Sequence, residues 1–422
     1  MLLNFFLKGF IKVGTLNLID CHGKSYLFSA TPSPKITVRL HSKSIERRLI
    51  YSPSLALGEG YMDGELTVEK GDIYDLLNFC ALNLQNRCLS LFQKMTEGLD
   101  FLRHFFHKKK PIHKSRSNVA HHYDLSEDLY RLSLDRDMQY SCAYFKSLKD
   151  NLETAQNNKK HHLAAKLLLK PGQKVLDIGS GWGGLAIFLA REAGVDVTGL
   201  TLSEEQHRVA TERVKEAGLQ NRVRFHLRDY RQETGKYDRI VSVGMFEHVG
   251  VKHYNEFFTQ ISSLLTEDGV ALLHSIGCST GPSRPNSWLN KYIFPGGYCP
   301  ALSETLSSLE PENLSVTDIE VLHHHYAETL RHWRTRFLGN QDKVKKQWGT
   351  RFFRLWDFYL ASCEVAFRKR GHMVFQIQIM KNTGLAPLTR DYIAIEEERK
   401  LIQKKKVKLS LIRLKNEKST GN

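Results

Sequence analysis

The run Val175-Leu176-Asp177-Ile178-Gly179-Ser180-Gly181-Trp182-Gly183-Gly184 decides the fold of this 422-residue chain. A strand of buried character, Lys174–Ile178, stops at a cluster of glycines, and an apolar helix, Leu185–Glu192, follows at once. The alternation then continues: strand Val195–Leu200, helix Glu204–Ala217, strands Val223–Leu227 and Tyr237–Val243, helix Tyr254–Leu265 and strand Gly269–Ser275. Strands alternating with helices in this way specify an α/β fold with a parallel, doubly wound sheet. A glycine turn between strand and helix lets backbone approach a ligand closely and predicts N–H groups pointing at it.

Many nucleotide folds carry such a turn, and three details narrow the choice. Asp177 closes the strand just before the glycines. The spacing is GxGxGG, where a dinucleotide fingerprint has GxGxxG. The second strand ends Gly199-Leu200-Thr201, with no acid at its tip to hold a ribose. Together these disfavour NAD and favour S-adenosylmethionine.

Other motifs stand around this one in order. They are HHYDLSEDLYRLSLDRDMQYSCAYF (His121–Phe145) upstream, then TLSEEQ (Thr201–Gln206) and DYR (Asp229–Arg231) downstream. With LDIGSGWGG they resemble the lead-in segment and cofactor loops of the cyclopropane fatty acid synthase family, which includes the mycolic acid cyclopropane synthases. That family usually reads LDIGCGWG; Ser180 replaces the cysteine here, small for small. The resemblance runs from the amino-terminal region to about Tyr392. It implies a Rossmann-like class I methyltransferase domain and an enzyme that transfers a methylene group from S-adenosylmethionine to the cis double bond of unsaturated phospholipid acyl chains. It also implies a cofactor set of Tyr140, Ser141, Asp177, Gly179, Gly181, Trp182, Gly183, Thr201, Leu202, Ser203, Gln206, Asp229 and Tyr230.

An alkene nucleophile needs no deprotonation, but its attack on a sulfonium methyl leaves a carbocation. The site must shelter that cation from water and remove one proton so that the ring closes. Aromatic faces and a single anionic base suit the task. The resemblance implies bicarbonate as that base. Its ligands would be the backbone of Cys142 in YSCAYF, Glu247 in FEHVG, His274 and the backbone of Ile276 in LHSIG, and Tyr326 in HYAETLRHW. Glu247 beside an anion requires a shared proton or compensating donors. Cys363, in YLASCEVAFR, matches a cysteine proposed as nucleophile or base; a thiol in an apolar helix is more often a small hydrophobe. Trp288, Tyr292, Phe294 and Trp333 are candidates to line an acyl tunnel, with ordinary core packing an equal alternative for any one of them.

Composition sets the frame. Sixty-one Lys and Arg against 45 Asp and Glu give a formal charge of +16, which calls for an anionic partner. No Asn-Pro-Pro-Tyr-type or Pro-Cys motif supports nucleic acid as that partner. The Lys108–Arg116 cluster follows Leu99, Leu102, Phe105 and Phe106 on one helical face, which suits either the headgroup boundary of an anionic membrane or packing of that face into the core. The chain has no apolar run of ~20 residues that could span a bilayer. Met1–Phe6 is too short for a secretion signal and is followed by Lys8. The expectation is a cytoplasmic protein that meets the inner face of the membrane peripherally. Seven scattered cysteines without a CxxC pair point to reduced thiols, with no metal and no disulfide framework.

Residues 12–69 read as mostly β, with strands Thr15–Ile19, Ser25–Ser29 and Ile36–Leu40. Asp72–Phe106 reads as helical, Lys108–Ser117 as a linker and Tyr326–Lys369 as mainly helical; the charged segment after Tyr392 is expected to fray. The division is therefore a smaller α+β amino-terminal, lipid-engaging domain with its linker (1–115), a methyltransferase domain (116–395) and a basic tail (396–422). The resemblance implies a homodimer. Two alternatives stand beside this reading. The same carbocation could yield methyl-branched or methylene acyl chains, or the chain could be a lipid-binding protein with a vestigial methyltransferase fold. The intact glycine loop and full set of ion ligands oppose the second.

Overall fold

The computed structural model describes residues 2–85, 127–283 and 285–399. The Lys108–Arg116 cluster, the linker, the boundary at 115/116, the helical reading beyond Gln85 and the tail after 399 lie outside the described residues.

The amino-terminal part comprises α1 (Leu2–Phe10), β1 (Thr15–Ile19), β2 (Ser25–Ser29), β3 (Lys35–Leu40), α2 (Lys43–Tyr51), α3 (Pro53–Asp63), β4 (Leu66–Lys70) and α4 (Ile73–Gln85). Its sheet has the order β2-β1-β3-β4, with β1 and β3 parallel and the outer pairs antiparallel. The three expected strands are present, but the mostly β reading of 12–69 missed α2 and α3. Their start signals are ordinary: Ser42 Oγ accepts from the Ile45 N–H at 3.2 Å, and Pro53 sits in the first turn of α3. Two glycines inside α3 hid it, since glycine is a poor helix former. They are there for packing. A Cβ on Gly58 would lie 2.4 Å from the Trp288 ring, and one on Gly60 2.6 Å from Ile45 Cδ1.

The larger part begins with α5 (Glu127–Ser133) and α6 (Leu152–Lys166). Then come β5 (Lys174–Ile178), α7 (Gly184–Ala193), β6 (Asp196–Thr201), α8 (Glu204–Glu216), β7 (Val223–Leu227), β8 (Tyr237–Val243), α9 (Tyr254–Leu264) and β9 (Leu265–Cys278). It closes with α10 (Ser287–Tyr292), α11 (Leu302–Leu309), β10 (Ser315–Leu322), α12 (His325–Gly339), α13 (Gln341–Lys369, interrupted at Gly349) and β11 (His372–Met380). The seven strands have the order β10-β11-β9-β8-β5-β6-β7; β9, β8, β5, β6 and β7 run parallel, and β11 is antiparallel to both its neighbours. This is the doubly wound α/β sheet that the alternation specified. Val175, Leu176, Ile240, Val241, Leu272 and Leu273 are buried in its central strands, as covered parallel strands require. The chain leaves β5 for β6 on one side and reaches β8 on the other, so a ligand crevice opens at the carboxyl end of β5.

The two parts meet through charged and aromatic contacts. Asp357 on α13 accepts from Tyr61 Oη at 2.9 Å and from Arg334 Nε at 2.7 Å, and Arg334 also reaches Asp72 at 2.9 Å. Residues 391–399 are helical and do not fray. Glu397 is buried there, receiving His162 Nδ1 at 2.8 Å and pairing with Lys146. Among the described residues, no helix is long and apolar enough to cross a membrane.

Candidate active site

At the end of β5 the chain turns through Gly179 (φ 83°) and Gly181 (φ 53°), left-handed conformations that favour glycine. A cleft opens over this turn. Its walls include Tyr140, Ser141, Asp177, Gly179, Gly181, Trp182, Thr201, Leu202, Gln206, Asp229 and Tyr230. A Cβ on Gly181 would meet no atom within 4 Å, so the backbone borders open space there. The turn does not aim its first N–H groups at that space, contrary to expectation. The N–H groups of Gly179 and Ser180 both donate to the Leu200 carbonyl, at 3.0 and 2.9 Å, and that of Gly183 to Ser180 O at 3.0 Å.

Two residues of the expected cofactor set do other work. Gly183 is tight because a Cβ would lie 2.8 Å from the Phe225 ring and 2.9 Å from Ala210, so it allows α7 and α8 to close on the sheet. Ser203 caps α8, its Oγ accepting from the Gln206 N–H at 3.2 Å, and it is fully buried. Neither lines the cleft. Asp229 is held by Arg231 through Nε at 2.9 Å and Nη2 at 2.7 Å. Asp177 Oδ2 and Trp182 Nε1, by contrast, are buried without a hydrogen-bond partner. Burial, opposed by the charge of Lys159, pushes the Asp177 carboxyl up to about 7. An unmatched buried acceptor and donor in a cleft wall fit a polar ligand that would satisfy them.

A second cavity adjoins the first and shares Tyr140, Ser141, Gly244 and His248 with it. Cys142, Glu247, His274, Ile276, Tyr326 and Cys363 all line it, so six residues spread over more than 220 positions converge on one space. Glu247 leaves β8 in a short 3-10 turn, Phe246–His248; its Oε1 accepts from the Ile276 N–H at 2.7 Å, and its Oε2 is buried without a partner. Burial pushes this carboxyl up to about 7. The Ile276 N–H is thus spent on Glu247 and is not free for an anion. Burial holds His274 well below the usual imidazole range, so the ring is neutral. Gln376 Nε2 donates to His274 Nδ1 at 3.1 Å, leaving the ring proton on Nε2. The Tyr326 ring stands 4.8 Å from Phe367 and 5.8 Å from Trp333. Burial raises the Cys363 thiol to about 12, so it is protonated near neutral pH.

Of the four aromatics expected along an acyl tunnel, Phe294 lines the cavity. Trp288 is fully buried against α3 and donates to Met62 Sδ at 3.2 Å. Tyr292 donates to Glu59 Oε1 at 2.8 Å. Trp333 stacks behind Tyr140 at 5.2 Å. Trp288 and Tyr292 pack outside the cavity because α10 is pinned between it and α3, and Trp333, on α12, backs Tyr140. Sequence reasoning also missed Tyr359, whose hydroxyl lies 2.7 Å from that of Tyr140, and the α6 residues Gln156 and Lys159. No periodicity marks α6, where polar side chains are buried all around the helix.

Comparison with known proteins accords with this geometry. A family model described as mycolic acid cyclopropane synthetase matches residues 109–377, and a domain of unknown function matches residues 10–89. The cyclopropane-fatty-acyl-phospholipid synthase of Escherichia coli (strain K12) is 39% identical over 342 residues, covering 81% of this chain and 86% of that protein. Among solved structures, the cyclopropane synthase MmaA2 of Mycobacterium tuberculosis aligns with a TM-score of 0.60 at 31% identity, covering 63% of this chain and 97% of that one. The mycolic acid cyclopropane synthase CmaA1, complexed with SAH and CTAB, aligns with a TM-score of 0.60 at 33% identity, covering 64% and 98%. A class I sheet with a ligand cleft at its switch point and a buried acid beside it, joined to these likenesses, places the chain in the mycolic acid cyclopropane synthetase family of S-adenosylmethionine-dependent methyltransferases.

Proposed function

We propose that this enzyme converts cis double bonds in the unsaturated acyl chains of phospholipids to cyclopropane rings, with S-adenosylmethionine as methylene donor and bicarbonate as base. The observation that carries the reading is the pair of adjoining cavities: a cleft over the glycine turn, and a second space with aromatic walls and one buried acid. The name of the Escherichia coli relative supports the phospholipid substrate.

On this reading the alkene π electrons take the methyl group, the C–S bond breaks and a carbocation forms on the acyl chain. One proton then leaves the new methyl group as the second C–C bond closes the ring. The rings of Phe294, Tyr326, Tyr359 and Phe367 line the space where that cation would form and would help keep water out. Bicarbonate, when bound, would supply the base that takes the proton. The donors fit it: His274 offers an Nε2 proton, Tyr326 a hydroxyl, and Glu247, held near 7, exchanges its own proton close to neutral pH. Asp177, Gly181, Trp182 and Gln206 would hold the cofactor, with Tyr140 and Ser141 between the two ligands. Access to the acyl chains would be peripheral, with the Lys108–Arg116 cluster against anionic headgroups at the inner face of the membrane.

The test is direct. Purified protein is incubated with S-adenosylmethionine and vesicles of unsaturated phospholipid, and the acyl products are identified by mass spectrometry. Acyl chains one CH2 heavier and lacking the double bond are expected. Methyl-branched chains would give the reaction a different ending, and unaltered chains would sink the proposal.

A further inference from the structure

Lys159 lies on α6, and no part of it reaches solvent. Its Nζ donates to Ser141 Oγ at 2.8 Å. One turn earlier on the same helix, Gln156 Nε2 donates to Ser141 O at 2.9 Å and to Gln139 O at 3.2 Å. The strip 139–142 is therefore tied to α6 through both side chain and backbone. That strip supplies Tyr140 and Ser141 to the partition between the two cavities and Cys142 to the second. The geometry points to Lys159 as a positioning residue: it holds this partition in place and supplies positive charge beneath it.

A purely structural role would not call for an ammonium. Methionine would fill a similar volume without the cost of burying a charge. The charged and titratable groups facing Lys159 come from several elements. Lys160 is on its own helix, Asp135 and Asp137 precede the strip, Cys142 is in it, Asp177 is the penultimate residue of β5, and His274 is on β9. Asp135 is the leading charge partner of Lys159, and both acids before the strip have further partners. Asp137 pairs with Lys160 at 2.6 Å and with Arg213, while Asp135 accepts from the N–H groups of Gln139 at 2.9 Å and Asp137 at 3.1 Å. Asp177 keeps one carboxylate oxygen without a partner. Besides facing Asp135, Lys159 lowers the pKa of Asp177, the acid under the cofactor cleft, while fixing the wall between cofactor and acyl chain. Burial brings its ammonium down to about 8, so this charge disappears just above neutral pH.

The inference rests on the proposed cyclopropanation, and the experiment separates the two. Turnover and KM for S-adenosylmethionine are measured against pH for wild type, Lys159→Met, Lys159→Arg and Ser141→Ala, with unfolding midpoints alongside. Wild type is expected to lose activity on an alkaline limb near pH 8. Ser141→Ala removes the acceptor that favours the charged amine, so its limb should move to lower pH. Lys159→Arg keeps its charge throughout this range, so its limb should vanish. Lys159→Met should fold and lose turnover on the order of 10²-fold. Wild-type turnover in Lys159→Met, or an unmoved limb in both Ser141→Ala and Lys159→Arg, overturns the inference. If Lys159→Met does not fold, the two limbs decide alone. A wild type that leaves the lipid unaltered overturns the proposed function and this inference together.

Discussion

Glu247→Gln should make the protein more stable and much less active, and the two effects have one cause. The carboxyl is buried, with one oxygen on the Ile276 N–H and the other without a partner, which moves it from an ordinary 4.5 to about 7. A raised value means that the folded chain binds this proton more tightly than the unfolded chain does. Below pH 4.5 both states are protonated and the burial of charge costs nothing; above pH 7 both are ionised and the folded state carries the whole penalty. The gap is worth ~3 kcal/mol. Glutamine keeps the bond from Ile276 and never ionises. The variant should therefore match wild type near pH 4 and exceed it by up to ~3 kcal/mol at pH 8, as read by denaturant unfolding. Glu247 does not line the cofactor cleft, so S-adenosylmethionine affinity should be unchanged. Turnover should fall by about 10²–10³, the usual cost of one well-placed electrostatic group, with added bicarbonate restoring part of it. Equal stability at pH 8, or turnover within a few-fold of wild type, would refute the account of this acid.

Gly181→Val should abolish S-adenosylmethionine binding by calorimetry, because its side chain would enter the open cleft from a left-handed backbone; unchanged affinity would mean the cofactor lies elsewhere. Cys363→Ser should keep substantial turnover in the vesicle assay, since a thiol held near 12 is protonated and a poor base at neutral pH; a dead but folded variant would reinstate the cysteine. Replacing Lys108, Lys109 and Lys110 with glutamine should weaken binding to anionic vesicles by up to ~1 kcal/mol per charge at low salt, and less as salt rises. Wild-type binding at low salt would remove this cluster from the membrane contact.

How much of this could be read beforehand depended on whether the signal was local. Strand β5, its glycine turn and helix α7 are specified by neighbours in sequence, and the alternation that follows set the whole parallel sheet. The loops that wall the first cleft were legible for the same reason. The second cavity was not legible from the residues alone. Cys142, Glu247, His274 and Tyr326 come from four separate elements, and only a resemblance could assemble them before the fold did. Where reading failed, tertiary contacts had overruled local preference. Gly58 and Gly60 sit inside a helix because Trp288 and Ile45 occupy the space of their side chains. Trp288 looks like a tunnel residue by its place in the chain, yet α3 claims it. Gly183 and Ser203 lie within cofactor motifs, but the turn needs one for close packing and the other for a cap.

The acids of the site differ in whether a base pairs with them. Two acids of this region are paired: Asp229, in the cleft wall, with Arg231, and Asp137, outside the lining, with Lys160 and Arg213. Two others have no ion pair among the described residues. Asp177 and Glu247 both sit near 7, each with one oxygen unmatched. His274 is neutral and the Cys363 thiol protonated. An arginine beside Glu247 would hold the acid ionised, but it would also repel a cation forming on a nearby acyl chain. Burial without a counterion does the opposite. It lets Glu247 change its protonation state near neutral pH and leaves the second cavity with little fixed charge of its own. The proposed reaction brings in a sulfonium, makes a carbocation and ends with a proton on an anion, so its charge would arrive with the ligands. Lys159, behind the partition and out of solvent, acts on Asp177 on one side and on Cys142 and His274 on the other. A site built in this way trades stability for reactivity, and that trade is what Glu247→Gln would expose.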